Sequence, residues 1–194
     1  VDDETLKKAQ QKPEDYRGLM VRVAGTSAEP ALVYSCHIDT VTLGEGWDDA
    51  TPALGGVVAG NRLYGRGACD MKGGLACAIA AFFSLLDEAA AQGSLPRRAF
   101  ALLLSVDEED FMRGVEAAIS AGLVGADEWV VDTEPTDGQV QVAHKGRTWF
   151  EVTMTGQTAH ASQPWKGADA VAAMAECVSC IRHAIQATPA HEEL

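Results

Sequence analysis

The chain has 194 residues, 47% of them hydrophobic and 22% charged, which suits one folded domain or one domain and part of another and excludes a disordered chain. Its net charge of −13 argues against phosphate backbones and anionic membrane surfaces as partners. Five cysteines at irregular spacings make no disulfide framework, so a reducing cytoplasm is the expected compartment.

The N-terminal run VDDETLKKAQQKPEDY is polar and helical in character, unlike a targeting signal, with a helix expected over residues 2–11 and ended by Pro13. Residues 19–23 and 31–35 read as strands, being apolar or β-branched between turn residues. Residues 43–60 read as a Gly/Pro-rich loop, with Trp47-Asp48-Asp49 exposed to solvent. A helix is expected over 73–91, where Leu75, Ile79, Phe82, Phe83 and Leu86 recur at helical spacing. Its most apolar stretch, 75–86, falls short of a membrane span. A buried strand over 100–106, a helix over 115–121 ended by Gly122, and a short strand over 129–131 follow.

Strands alternating with helices imply an α/β architecture with a mainly parallel sheet flanked by helices. After Thr136 the pattern changes. Antiparallel strands are expected over 140–143 and 149–155 around Lys145-Gly146, then a long helix over 168–187. The expected division is therefore an α/β domain over 1–142 and the first part of an α+β domain over 143–194. The chain lacks an initiating Met and stops just after a helical pattern, so both ends are expected to be trimmed from a longer protein.

The chemistry-bearing residues cluster where strands end. His37 and Asp39 follow the second strand, and Asp70 stands just before the long helix. Asp107-Glu108-Glu109-Asp110 follows the strand 100–106, while Asp132 and Glu134 follow the strand 129–131. In open α/β sheets, sites form beyond the carboxyl ends of the strands, so these segments converge at one edge. Carboxylates gathered there repel one another and resist ionisation when buried, and a cation relieves both penalties. One imidazole with several carboxylate oxygens suits Zn2+ or a similar divalent ion. A shared carboxylate would hold two ions roughly 3.5–4 Å apart and activate a water between them. Taken singly, His-x-Asp reads as a core or capped histidine and DEED as a solvated loop; their common position at strand ends favours the metal site.

The segments SCHIDTV, LYGRGACDMKGG, SVDEED and VVDTEPT resemble, in order and spacing, the motifs of the M20 metallopeptidases, a group that includes acetylornithine deacetylase and succinyl-diaminopimelate desuccinylase. GQTAHASQPWKGADAV at 156–171 resembles that family's lid, or dimerisation, domain. The resemblance implies a zinc-peptidase-like catalytic domain and two divalent ions, Zn2+ first, with Co2+ or Mn2+ permitted. His37 and Glu134 would bind one ion, Glu109 the other, and Asp70 would bridge them. Asp39 would orient the His37 ring. Glu108 would be the general base, and a cis peptide is expected at Asp70–Met71. His160 would stabilise the oxyanion, often in a partner subunit's site. The implied function is hydrolysis of the amide bond of an N-acyl amino acid or small peptide through a metal-activated water, by a cytoplasmic homodimer. The alternative expectation is a non-catalytic metal-binding or dimerisation fragment of such a protein, because the family's last histidine ligand has no motif here.

Two departures from the pattern stand out. Cys36 occupies a position where family members usually carry Gly, and the family's last histidine ligand is missing, since no motif supports His183 or His191 in that role. Separately, Cys177 and Cys180 form a CxxC with no second pair, which reads as two small residues on a helix. Cys69 and Cys77 are expected to be small buried groups, and Trp165 a packing residue. Gly73-Gly74 is expected to let the long helix pack closely. GRGACD fails GxGxxG, and no GxxxxGK[ST] or GxSxG occurs, which argues against dinucleotide binding, P-loop chemistry and a nucleophile elbow.

Overall fold

The computed structural model describes residues 17–189. The helix expected over 2–11 lies outside them. The chain divides into two compact units, Val1–Gly138 and Gln139–Leu194.

The first unit is built on strands β1 (Leu19–Val23), β2 (Leu32–His37), β3 (Val57–Ala59) and β4 (Arg62–Tyr64), helix α1 (Lys72–Gln92), strand β5 (Phe100–Ser105), helix α2 (Arg113–Ser120) and strand β6 (Trp129–Asp132). The main sheet runs β1-β5-β2-β6, and β3 pairs with β4 in a separate two-stranded ribbon. β2 lies parallel to both neighbours, while β1 lies antiparallel to β5. The mainly parallel α/β sheet read from the sequence is thus present. β3 falls at the end of the loop expected over 43–60 and β4 just after it, because three-residue strands are too short to show an alternating pattern.

The period of two in β2 and β5 sorts their side chains onto two faces. On one face Cys36, Phe100 and Leu102 pack with Met71, Ala78 and Phe82, the last two from α1. On the other face Val33, Ala101 and Leu103 pack with Ala118 of α2. Phe100 meets Phe82 and Tyr34 at ring-centroid distances of 5.2 and 5.3 Å, in tilted geometry. A helix therefore covers each face, as a parallel sheet requires.

α1 is rich in Ala and Leu and carries Ile79 as its one β-branched residue, which favours helix throughout. It ends at Gly93, whose φ of 61° lets its N–H reach Ala90 O while Ser94 N reaches Ala89 O. Beyond Asp87 and Glu88 three alanines follow, so the 21-residue helix holds an 18-residue stretch of mean hydropathy 1.6 and is long and apolar enough to cross a membrane by length and composition. That corrects the shorter expectation. Ala78 and Phe82 nevertheless turn into the core. Cys69 and Cys77 are exposed rather than buried.

The second unit contains a short 3-10 turn (Pro164–Lys166) and α3 (Ala170–Ala187). Asp169 caps α3, its carboxylate accepting from Val171 N at 2.9 Å and Ala172 N at 3.0 Å. The strands expected over 140–143 and 149–155 do not form. Val140, Val142, Trp149 and Phe150 are all well exposed, and an isolated hairpin with no covering layer is marginal. Among the described residues, one isolated antiparallel bridge, Gln157 to Ala168, forms in this unit instead. Trp165 is 74% exposed, against the packing role expected for it.

Candidate metal centre

β2 delivers the histidine. Its last residue, His37, pairs with Ser105 at the end of β5, and Ile38 N continues the ladder to Ser105 O at 3.0 Å. On the other side Ser35 pairs with Asp132 of β6, and Thr133 N reaches Ser35 O at 3.3 Å. Because β5, β2 and β6 run parallel, the loops after all three leave from the same edge. Those loops carry Glu108 and Glu109, Asp39, and Glu134, while His37 stands at the very end of β2.

Asp70 arrives from the turn before α1. The peptide Asp70–Met71 is cis, as the resemblance implied. Met71 is fully buried, and its Sδ lies 3.0 Å from the backbone N of His37, which fixes the turn beside the strand end. Gly74, on the first turn of α1, comes so close to the Thr133 carbonyl that a Cβ would stand 2.1 Å from its oxygen. The closeness expected of Gly73-Gly74 toward the sheet is directed instead, for Gly74, at the segment leading to Glu134, and for Gly73 at Ala68, whose oxygen a Cβ would meet at 2.8 Å.

His37 is 2% exposed. Its Nε2 faces Asp70 Oδ1 at 3.3 Å, Glu134 Oε1 at 3.4 Å and Glu108 Oε2 at 3.8 Å. Two overlapping groups have donor atoms within 4.8 Å of one another: His37, Asp70 and Glu134, and His37, Glu108 and Glu109. All four expected ligands and the expected base are thus brought together.

Asp39 differs in detail from its expected role. His37 Nδ1 lies 3.1 Å from the main-chain oxygen of Asp39 and 3.6 Å from its carboxylate Oδ1. The other carboxylate oxygen accepts the backbone N–H of Glu109 at 3.2 Å. Asp39 Oδ1 is buried without a hydrogen-bond partner among the described residues. His160 belongs to the second unit, where its Nδ1 lies 2.9 Å from Ser162 Oγ.

Burial pushes the Glu134 carboxyl up to about 7; His37 opposes this, and the charges of Asp132, Asp70 and Glu108 add to it. For His37, burial works against the charged ring, but Glu134, Asp39 and Glu108 outweigh it and raise its pKa above the usual value. A cation among these groups would remove the repulsion that lifts Glu134. The donor set of one imidazole nitrogen and several carboxylate oxygens fits a divalent ion of the Zn2+ class.

Of three further neighbours, Cys36 and Met71 were named from the sequence without these contacts, and Arg113 was not named at all. Cys36 is fully buried, and its Sγ lies 3.2 Å from Thr133 Oγ1, linking β2 to the Glu134 loop. Met71 adjoins Asp70 in the motif but carries no polar signal. Arg113 binds Asp107 through its guanidinium, and its only trace in the sequence is a basic residue at the end of an acidic run. Beside the cluster is an open cavity of about 510 Å³, lined by Asp39, Thr40, Thr42, Val106, Glu109 and Asp110 among others.

A family model described as "Peptidase family M20/M25/M40" matches residues 33–193. A second, described as "Glycine radical", matches residues 1–31, of which 1–16 lie outside the described structure. A probable succinyl-diaminopimelate desuccinylase of Staphylococcus aureus (strain MRSA252) is 32% identical over 165 residues, covering 85% of this chain and 39% of the relative. Its counterpart from Staphylococcus epidermidis (strain ATCC 12228 / FDA PCI 1200) is 30% identical over 183 residues, covering 94% and 44%. The succinyl-diaminopimelate desuccinylase of Rhodospirillum rubrum is 31% identical over 157 residues, covering 71% and 38%. The chain spans well under half the length of these curated relatives.

Proposed function

The chain belongs to peptidase family M20/M25/M40, and on that premise we propose that it is part of a metal-dependent hydrolase cleaving the amide bond of an N-acyl amino acid or small peptide. The observation that carries the reading is the buried His37 ring facing Asp70, Glu134 and Glu108 within 3.8 Å at the carboxyl edge of a parallel sheet. In this reading His37 and Glu134 would hold one ion and Glu109 the other, with Asp70 as the ligand they would share. Two divalent ions held there would polarise a carbonyl oxygen and make water acidic near neutral pH.

The protein's own groups do the remaining work. Asp39 holds the His37 ring with its main-chain oxygen and the Glu109 backbone with its carboxylate. Glu108 takes a proton from the attacking water and delivers it to the amide nitrogen as the C–N bond breaks. The open cavity beside Asp39 and Glu109 gives an acyl amino acid room to approach. His160, with residues 143–194 as part of a lid, is assigned to the oxyanion, in a homodimer where it serves a partner's site. All five cysteines are free, which fits a cytoplasmic setting.

The names of the relatives make succinyl-diaminopimelate the first substrate to test, beside N-acetyl amino acids and dipeptides. The expected result is release of free amine that a chelator abolishes and Zn2+ or Co2+ restores. A metal-loaded protein that cleaves no member of this panel overturns the proposal.

A further inference from the structure

The loop bearing Glu108 and Glu109 is closed from beneath by a buried ion pair. Asp107 adopts the left-handed conformation, with φ of 65°. Its Oδ2 accepts Arg113 Nε at 2.6 Å and its Oδ1 accepts Arg113 Nη2 at 2.8 Å. This is a two-point match to a guanidinium that a lysine ammonium cannot reproduce. The Asp107 main-chain oxygen accepts Met112 N at 2.6 Å and Phe111 N at 3.3 Å, and Gly114 N returns to Val106 O at 3.2 Å. The guanidinium also stacks over the Phe111 ring, 4.7 Å from its centroid. Both charged side chains are almost fully enclosed, at 7% and 10% exposure.

Burying two full charges is expensive, and apolar residues of similar volume commonly stabilise a fold as well or better. The neighbouring core is made of other side chains, since Val33, Ala101, Leu103 and Ala118 pack with one another. The segment between the paired residues, however, crowds Glu108, Glu109 and Asp110 into one short turn. Their mutual repulsion favours an opened loop. The ion pair joins the loop's two ends, and Asp39 Oδ2 holds its middle at Glu109 N.

We infer that Asp107 and Arg113 form a positioning clamp that sets Glu108 and Glu109 against His37, an inference that rests on the hydrolase reading above. Neither residue touches the reacting atoms; both act through the loop.

The test compares Arg113→Met and Arg113→Lys in the intact protein, with Phe82→Leu as a control that loosens the core away from the loop. Activity, the visible spectrum of bound Co2+ and amide exchange are read on each. Arg113→Met is expected to lower kcat at least tenfold with KM within about twofold, to alter the Co2+ spectrum and to speed exchange at residues 108–112 at least tenfold while β5 stays protected. Arg113→Lys is expected to recover part of kcat, and it carries the test alone where Arg113→Met does not fold. Unchanged kcat, spectrum and loop exchange overturn the clamp. So does a Phe82→Leu variant that reproduces the same kcat loss and spectral change. Wild-type protein that binds Co2+ but cleaves no acyl substrate overturns the hydrolase reading; the spectrum and exchange then decide the clamp, altered values supporting it and unaltered ones overturning it. Wild-type protein that binds no metal overturns both.

Discussion

The backbone N–H of Glu109 donates to Oδ2 of Asp39 at 3.2 Å, tying the loop after β5 to the loop after β2. The same Asp39 holds His37 Nδ1 through its main-chain oxygen. One residue thus fixes two donors of the candidate centre. Asp39→Ala is expected to weaken Zn2+ binding by about 10–100-fold, the usual effect of losing a group that orients metal ligands. Calorimetric titration checks this, and an unchanged affinity would show that the ligands are held by other contacts.

Glu108 stands 3.8 Å from His37 Nε2, the longest of the three carboxylate approaches to that nitrogen. Its amide counterpart is nearly the same shape but cannot accept a proton. Glu108→Gln is expected to keep its bound metal and lose turnover by about 10²–10⁴-fold, the range for a general base. Metal analysis and turnover on the same sample test it; full activity would remove Glu108 from the mechanism.

Stability of the metal-free protein should fall as pH rises from about 4.5 to 7. Burial raises Glu134 from 4.5 to about 7, so within that window the folded state keeps a proton that the unfolded chain has released. The raised pKa of His37 contributes stability that is present below 6.5 and lost as pH passes its folded value. Both slopes have the same sign. Asp107 and Glu128, whose folded values are lowered, act in a more acidic window. Thermal unfolding of chelator-treated protein is expected to show Tm declining from pH 5 to pH 8, with Zn2+ flattening the profile. A metal-free Tm that climbs across this range would contradict the assignment.

Gly74 is required by the approach of α1 to Thr133. A Cβ there would lie 2.1 Å from Thr133 O and 2.9 Å from its Oγ1. Overpacking of this kind costs about 1–3 kcal/mol, against the roughly 1 kcal/mol that Ala gains over Gly within a helix. The clash is with a backbone oxygen, which places the cost in the upper half of that range, about 2–3 kcal/mol, so Gly74→Ala is expected to lower unfolding free energy by about 1–2 kcal/mol in urea titrations. It should also weaken Zn2+ binding, since Thr133 leads directly into Glu134. A variant as stable as the parent, with the same affinity, would show that the contact yields freely.

The long elements were legible because their side chains repeat. α1 shows helical spacing from Leu75 to Leu86, and β5 is continuously apolar because helices cover both faces of its sheet. The β3–β4 ribbon was not legible, since strands of three residues carry too few side chains to show a period. The apolar runs after Gln139 suggested strands, but Val142 and Trp149 are exposed and a strand needs a partner as well as a pattern. Cys69 and Cys77 were assigned to the interior by residue type, which does not say whether a position faces the core, and both are exposed.

The sequence by itself determined that His37, Asp70, Glu108, Glu109 and Glu134 stand at the ends or starts of regular elements, because alternation and helical spacing mark where those elements stop. Only the tertiary structure decided that they meet. Periodicity states which face of a strand is apolar and says nothing of its neighbour. β2 had to lie between β5 and β6, parallel to both, for Ser105 and Asp132 to fall beside His37 and Ser35. That order comes from hydrogen bonds and packing between residues some seventy to a hundred positions apart. The same long-range contacts give Asp39 its second role, since its tie to Glu109 exists only once β2 and β5 are side by side.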